Sequence, residues 1–161
     1  MKNRLVNLLG KIIEIDYNKC GGYPVLKGTR IPVAMIVRLL ELGWSEERIR
    51  REFLLPHELI DEVKRNFPLL LRLADALEFV EIRRDKLRGI PVVRDTRVPV
   101  KHIYDLMDNG WNIDKILREF PTLRRIDVEK IIEYRDVLEP IVRKMHEHVI
   151  ERFHDELGKV V

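Results

Sequence analysis

The apolar residues of the first half of the chain follow two different periods. Residues 12–15 and 24–26 form short runs rich in β-branched and other apolar residues, and a polar, glycine-containing stretch separates them. Such runs favour strands and such a stretch favours a turn. Ile36 and Leu39 then recur at helical spacing, and Gly43 is a typical residue for the end of a helix. The pattern predicts a small β-hairpin followed by a helix.

Further helix boundaries can be located from single residues. Pro32 fits the first turn of the first helix, where a missing N–H costs nothing. Ser45 is a good N-cap for a second helix, with Trp44 and Ile49 spaced as a hydrophobic staple. A third amphipathic stretch covers residues 59–67. A hairpin followed by three short helices is the helix-turn-helix plan.

This whole arrangement occurs twice. Residues 79–120 repeat residues 12–53 without a gap, at a spacing of 67, and 18 of the 42 aligned positions are identical. The sequence therefore predicts a mainly α protein made of tandem three-helix helix-turn-helix (homeodomain-like) units, each preceded by a short β-hairpin, plus a long C-terminal helix. The predicted boundaries are 1–78 for the first unit, 79–136 for the second and 137–161 for the C-terminal helix.

The C-terminal helix carries one apolar stripe. Its members step by three or four residues: Leu138, Val142, Met145, Val149, Phe153 and Leu157. Such a stripe either packs on the chain's own core or docks into a partner, and both interpretations stay open.

Composition narrows the functional classes. Thirty basic and 27 acidic residues give a net charge of only +3, which disfavours an unspecific coat of nucleic acid. No apolar stretch approaches the roughly 18 residues of a membrane span, and the N-terminal residues do not form a signal peptide, so we expect a cytoplasmic protein. The single cysteine, Cys20, excludes an internal disulfide. Abundant charge without glutamine, and with Ser45 as the only serine, is typical of a thermophilic source.

No catalytic or metal-binding pattern emerges. His146 and His148 lie two residues apart and therefore on different faces of a helix, and neither an HExxH nor a CxxC motif is present. Cys20 has no neighbouring base in the sequence. We therefore expect no enzymatic activity, no cofactor and no metal.

Charge is distributed unequally between the two third helices. In the first copy this helix carries Glu58, Asp61 and Glu62, which would repel phosphate. In the second copy two arginines stand at its start, the end that reads bases in helix-turn-helix proteins. The predicted DNA-binding residues are Arg124, Arg125, Lys130 and Arg135.

A Thr-Arg pair recurs in both copies, as Thr29-Arg30 and Thr96-Arg97. A backbone turn with a guanidinium can hold an anion such as phosphate. Alternatively the threonine bonds within its turn, while the arginine pairs with the repeated acid, Glu52 or Glu119, and ties the hairpin to the second helix. We favour this structural interpretation.

These motifs resemble a known family. The string GTRIPV at 28–33, Gly-Trp-Ser at 43–45 and Phe-Pro-x-Leu at 120–123 are similar to the family of domain of unknown function number 433. That family resembles VapB-type helix-turn-helix antitoxins, which neutralise a PIN-like ribonuclease toxin and often bind their own operator. Asp95 and Asn112 depart from the motif, where glycine and serine are usual.

The resemblance implies a non-enzymatic regulator with a PIN-like toxin as its protein partner and operator DNA as a second candidate partner. By the same comparison the C-terminal helix clamps the toxin, through Val142, Met145, Val149 and Phe153. The alternative is a structural or protein-interaction module that forms a homodimer and does not bind DNA.

Overall fold

The computed structural model describes residues 3–160. This part of the chain is mainly helical and contains two small antiparallel strand pairs. Its elements in chain order are α1 (Asn3–Leu8), β1 (Ile13–Glu14), β2 (Val25–Leu26), α2 (Val33–Glu41), α3 (Glu46–Phe53), α4 (His57–Arg65), α5 (Phe67–Leu77), β3 (Val80–Glu81), β4 (Val92–Val93), α6 (Val100–Asp108), α7 (Ile113–Glu119), α8 (Arg125–Glu133) and α9 (Arg135–Val160).

Both predicted hairpins are confirmed. β1 pairs with β2 with Ile13 opposite Leu26, and β3 pairs with β4 with Val80 opposite Val93. The strands are only two residues long, and most of their apolar side chains are fully buried. A two-stranded hairpin this short is not stable alone, so its stability comes from packing under the helices.

A glutamate at the same position closes each hairpin. Glu14 accepts a hydrogen bond from the Lys19 ammonium at 2.5 Å and another from the backbone N–H of Gly28. Glu81 accepts one from the backbone N–H of Asp95 and one from Lys86. These donors favour the ionised carboxylate and lower the pKa of both glutamates below the ordinary value of 4.5.

Replacing Glu81 with glutamine should therefore change how stability depends on pH. A lowered pKa in the folded state gives stability that is present above the unfolded pKa and lost as the pH falls through the folded pKa. We expect Glu81→Gln to lose about 1 kcal/mol at pH 7, and this deficit should shrink as the pH falls through the lowered folded pKa of Glu81. Urea unfolding at pH 7 and pH 3 measures this. The exposed Glu52, changed to glutamine, is the control, and a Glu81→Gln deficit of equal size at both pH values would contradict the prediction.

The predicted N-caps are also confirmed. The Ser45 side chain accepts a hydrogen bond from the N–H of Arg48 at 3.1 Å, and Asn112 accepts one from Lys115 at 2.8 Å. Pro32 occupies the N-cap position of α2, one residue before the predicted first turn.

Each unit has a fourth helix that the three-helix prediction missed. The amphipathic stretch predicted over 59–67 breaks at Asn66, whose side-chain amide donates to the Glu62 carbonyl at 2.8 Å and covers the end of α4. Pro68 stands in the first turn of α5, where proline is tolerated. In the second unit α9 follows α8 after a single residue, just as α5 follows α4. The first three helices of each unit are therefore followed directly by a fourth.

The repeat continues through this fourth helix at a spacing of 68. α4 begins at His57 and α8 at Arg125, so the second unit has one additional residue between Phe120, the equivalent of Phe53, and its next helix. At that spacing three of the four buried side chains of α5 match buried side chains of α9: Leu70 with Leu138, Leu73 with Ile141 and Ala74 with Val142. The start of α9 is thus the fourth helix of the second unit, and the boundary predicted at residue 136 falls inside α9.

The two units pack together as a pair. α5 contacts α9, its own counterpart. Arg84 donates to the backbone carbonyl of Tyr17 at 3.0 Å, and these two residues are equivalent at the spacing of 67. Contacts between equivalent residues are typical of the two-fold axis of an isologous dimer. One chain here contains the arrangement that a homodimer builds from two.

Candidate functional site

The arginine predicted to lead the DNA-reading helix is held inside a charge network. The Nε atom of Arg124 lies 2.8 Å from Asp127, and its Nη2 atom lies 2.9 Å from Asp95. Asp127 is buried and also binds Arg94 through two nitrogens, at 2.8 and 2.9 Å. The bonds to Asp127 raise the pKa of Arg124 above its ordinary value. Arg124 therefore ties the start of α8 to the β4 hairpin.

The other three predicted DNA contacts are also ion-paired. Arg125 binds Asp114 across the turn between α7 and α8. Lys130 lies 3.0 Å from Glu133. Arg135 lies 2.8 Å from Asp108 and also binds Glu139. The structure does not bring the four residues together as an unneutralised basic face, because each has a carboxylate beside it.

The Thr-Arg pairs divide into a structural threonine and an exposed arginine. Thr29 donates to the Leu26 carbonyl at 2.8 Å and accepts from the Ile31 N–H at 3.0 Å, and Thr96 makes the same two bonds in the second copy. Arg30 donates to the carbonyl of Asn18 at 3.3 Å.

The predicted arginine partners were wrong. Within residues 3–160, no ion pair joins Arg30 to Glu52 or Arg97 to Glu119. Arg97 is exposed in its turn. Each threonine stabilises its own tight turn, and the hairpin is not tied to the second helix by the motif arginine.

Four exposed cations on α3 and α7 occupy equivalent positions in the two units. A comparison of charges that is limited to the third helix of each unit does not reveal them. Arg48 lies 3.6 Å from the ring centroid of Trp44, and Lys115 lies 4.1 Å from that of Trp111. Arg51 and Arg118 are their neighbours one turn on. In the part of the chain described here, none of the four lies in an ion pair with a carboxylate. We call these four residues the paired cations.

The apolar stripe of α9 is split between core and surface. Val142, Met145 and Val149 are buried in the chain's own core, so this part of the predicted partner-binding stripe is not available to a partner in this structure. Phe153 is 39% exposed, and the side chain of Leu157 lies outside the described residues. Among the side chains of α9 that the structure describes, the large apolar ones exposed to solvent are Ile150 and Phe153.

Among residues 3–160, no three His, Cys, Asp or Glu side chains are grouped closely enough to hold a metal ion. None of the helices described has both the length and the apolar character needed to cross a membrane.

Sequence comparisons place both units in one family. The family described as "Protein of unknown function (DUF433)" matches residues 13–65 and 80–134. The chain is also 34% identical over 107 residues to "Uncharacterized protein y4eO" of Sinorhizobium fredii (strain NBRC 101917 / NGR234). That alignment covers 63% of this chain and 47% of the relative, so the chain spans about half of that protein's length. No solved structure matches. The two matched segments cover more than half of the chain, which therefore belongs to the DUF433 family.

Proposed function

We propose that this protein is a non-enzymatic, antitoxin-like regulator that binds operator DNA through the paired cations and a PIN-like ribonuclease through the end of α9. The observation that carries the DNA part is the match between the units: Arg48 and Arg51 in one, Lys115 and Arg118 in the other. Dimeric proteins that bind two DNA half-sites present the same surface once in each subunit. In this protein the two repeated units of one chain would present it.

The order of the helices supports this assignment. α3, a turn and α4 follow one another as in a helix-turn-helix unit, and α7, a turn and α8 repeat the order. In such units the first helix of the motif crosses the phosphate backbone. Cations on α3 and α7 are placed for that contact, and the stacking of Arg48 and Lys115 on tryptophan rings reduces the entropy lost on binding.

The DNA arm of the test is a titration of the intact chain with the duplex upstream of its gene at several salt concentrations. Four phosphate contacts predict a slope of about −3.6 in log K against log salt. The variant Arg51→Ala/Arg118→Ala should lower affinity about tenfold or more at low salt and reduce the magnitude of that slope by about 2. Arg4→Ala/Arg83→Ala, which removes two exposed arginines elsewhere, is the matched control. Equal loss in both double variants, or no complex with the parent chain, would rule out this face.

The protein arm of the same test uses the product of the neighbouring reading frame. Ile150 is 43% exposed near the end of α9, close in sequence to Phe153. If a PIN-like protein is encoded there, the two chains should elute together after co-expression, and Ile150→Asp should separate them. Co-elution that survives Ile150→Asp would place the contact elsewhere.

One observation favours the alternative of a protein-interaction module. Leu54 in the turn between α3 and α4 is 89% exposed with a left-handed backbone, and Leu42 after α2 is 76% exposed. Exposed large apolar residues mark protein contacts when they cluster. A pure interaction module gives no salt-dependent DNA complex, so the titration above distinguishes the two functions.

A further inference from the structure

An open groove of about 390 Å³ lies between α2, α5 and the first hairpin. Arg38 and Glu78 are the charged residues that line it, and most of its other lining is apolar. The apolar side chains along it include those of Tyr23, Pro24, Pro32, Ala34, Ala74 and Leu77. The groove thus offers an apolar wall next to charged groups.

Three carboxylates bind the guanidinium of Arg38. Glu41 and Asp75 each have an oxygen 2.8 Å from its Nη1 atom, and Glu78 has one 2.9 Å from its Nη2 atom. Each carboxylate uses one oxygen for Arg38, so lone pairs remain for another donor. Three negative charges around one positive charge leave this cluster net negative, and the Glu78 side chain is 62% exposed. A cationic group is therefore the electrostatic complement of the groove.

The second unit indicates which cation fits there. Lys101 occupies the position equivalent to Ala34, and Asp105 the position equivalent to Arg38. The Lys101 side chain is only 29% exposed, and its ammonium lies 2.8 Å from Asp105. The lysine stem therefore lies against the protein, and its charged end binds a carboxylate.

His146 supports this placement of Lys101. It is the equivalent of Glu78 at the spacing of 68 that relates α5 to α9. Burial and the positive charge of Lys101 lower the pKa of His146 below its ordinary value of 6.5, so the two side chains are close. Lys101 thus lies near the counterparts of both Arg38 and Glu78, which is where the groove runs in the first unit.

We propose that the groove of the first unit binds a lysine side chain from a basic segment of a partner protein. The small side chain of Ala34 leaves open the space that Lys101 takes in the second unit. A lysine stem covers apolar surface while its ammonium stays in contact with a carboxylate, which here is Glu78. This surface is separate from the paired cations and from the end of α9, and it does not depend on the proposed function.

The test is a titration of the ¹⁵N-labelled full chain with the peptide acetyl-Gly-Lys-Lys-Gly-amide, followed by two-dimensional NMR. The amide signals of Ala34, Ala74 and Leu77 should shift, with a Kd near about 1 mM, as expected for a weak contact. The same peptide with both lysines Nε-acetylated keeps the stems and loses the charges, so it should bind more weakly.

Two substitutions test the groove itself, and the same spectra show whether each variant is folded. Ala34→Lys should abolish the shifts, because it fills the groove as Lys101 fills its counterpart, whereas Ala34→Ser leaves the groove open and should bind as the parent does. Glu78→Gln should weaken binding about two- to fivefold. Asp61→Asn removes an exposed carboxylate on α4 and is the control for charge alone.

Several results would overturn the proposal. They are no shift at the groove up to about 10 mM peptide, which is ten times a Kd of about 1 mM, equal binding of the acetylated peptide, unchanged binding in Ala34→Lys, and equal weakening in Asp61→Asn. Tighter binding of spermidine than of the peptide would identify a site for small polyamines instead. Shifts of the same signals with protein concentration alone would show that a second copy of the chain occupies the groove.

Discussion

A chain that ends at residue 136 is expected not to fold. The first half of α9 contributes six side chains that are each 7% exposed or less: Val137, Leu138, Ile141, Val142, Met145 and Val149. They pack against α1, α5 and α6, which belong to both units. Burial of one such side chain is worth about 1.5–3 kcal/mol, so their loss removes about 10 kcal/mol or more. A whole domain is stable by only about 5–15 kcal/mol.

Thermal unfolding followed by circular dichroism measures this effect. The shortened chain should give no cooperative transition, and a chain ending at residue 154 is the matched control. The control keeps all six buried residues, so it should melt within a few degrees of the full chain. A cooperative melt of the 1–136 chain near the full chain's temperature would show that α9 is an appendage rather than part of the second unit.

Features that depend on neighbours in sequence were predictable. The hairpins follow from local β propensity and turn residues, and the caps at Ser45 and Asn112 follow from side chains that bond three residues ahead. Because the sequence repeats, each of these local signals occurs twice. The mainly helical fold with two strand pairs could therefore be predicted from the sequence. The fourth helix was accessible too, because Leu70, Leu73 and Ala74 recur at helical spacing after Pro68.

Features that depend on contacts across the fold were not predictable. Arg124 looked like a phosphate contact because its neighbour in sequence is another arginine, yet Asp95, 29 residues earlier, lies 2.9 Å from its guanidinium. The burial of Asp127 is likewise not evident from sequence, because α8 contains four other charged residues. One pocket is lined by residues that lie between positions 17 and 153 of the chain, and no local sequence pattern connects them.

The second large effect is expected for Asp127→Ala. This carboxylate side chain is 1% exposed and binds both Arg94 and Arg124. Removing it leaves two arginines without their shared counter-charge, a change that typically costs about 3–5 kcal/mol. Because both arginines are partly exposed, we expect about 3 kcal/mol, which corresponds to a fall of about 6–12 °C in Tm. Asp85→Ala, which breaks an exposed pair with Arg83, is the control and should lower Tm much less than Asp127→Ala does.

The double variant Asp127→Ala/Arg124→Ala shows whether the charge network causes the loss. If it does, the sum of the two single losses should exceed the loss in the double variant, because the second substitution removes a cation that the first deprived of its buried partner and left with Asp95 alone. Strictly additive losses would show that Asp127 does not act through Arg124. The charge network also determines which substitutions can change DNA affinity without changing the stability of the fold. Arg124→Ala should lower the stability of the fold together with any DNA affinity, because Arg124 binds Asp95 and Asp127. Arg51 and Arg118 are exposed and are in no described ion pair, so their removal should change the surface charge and leave the fold intact.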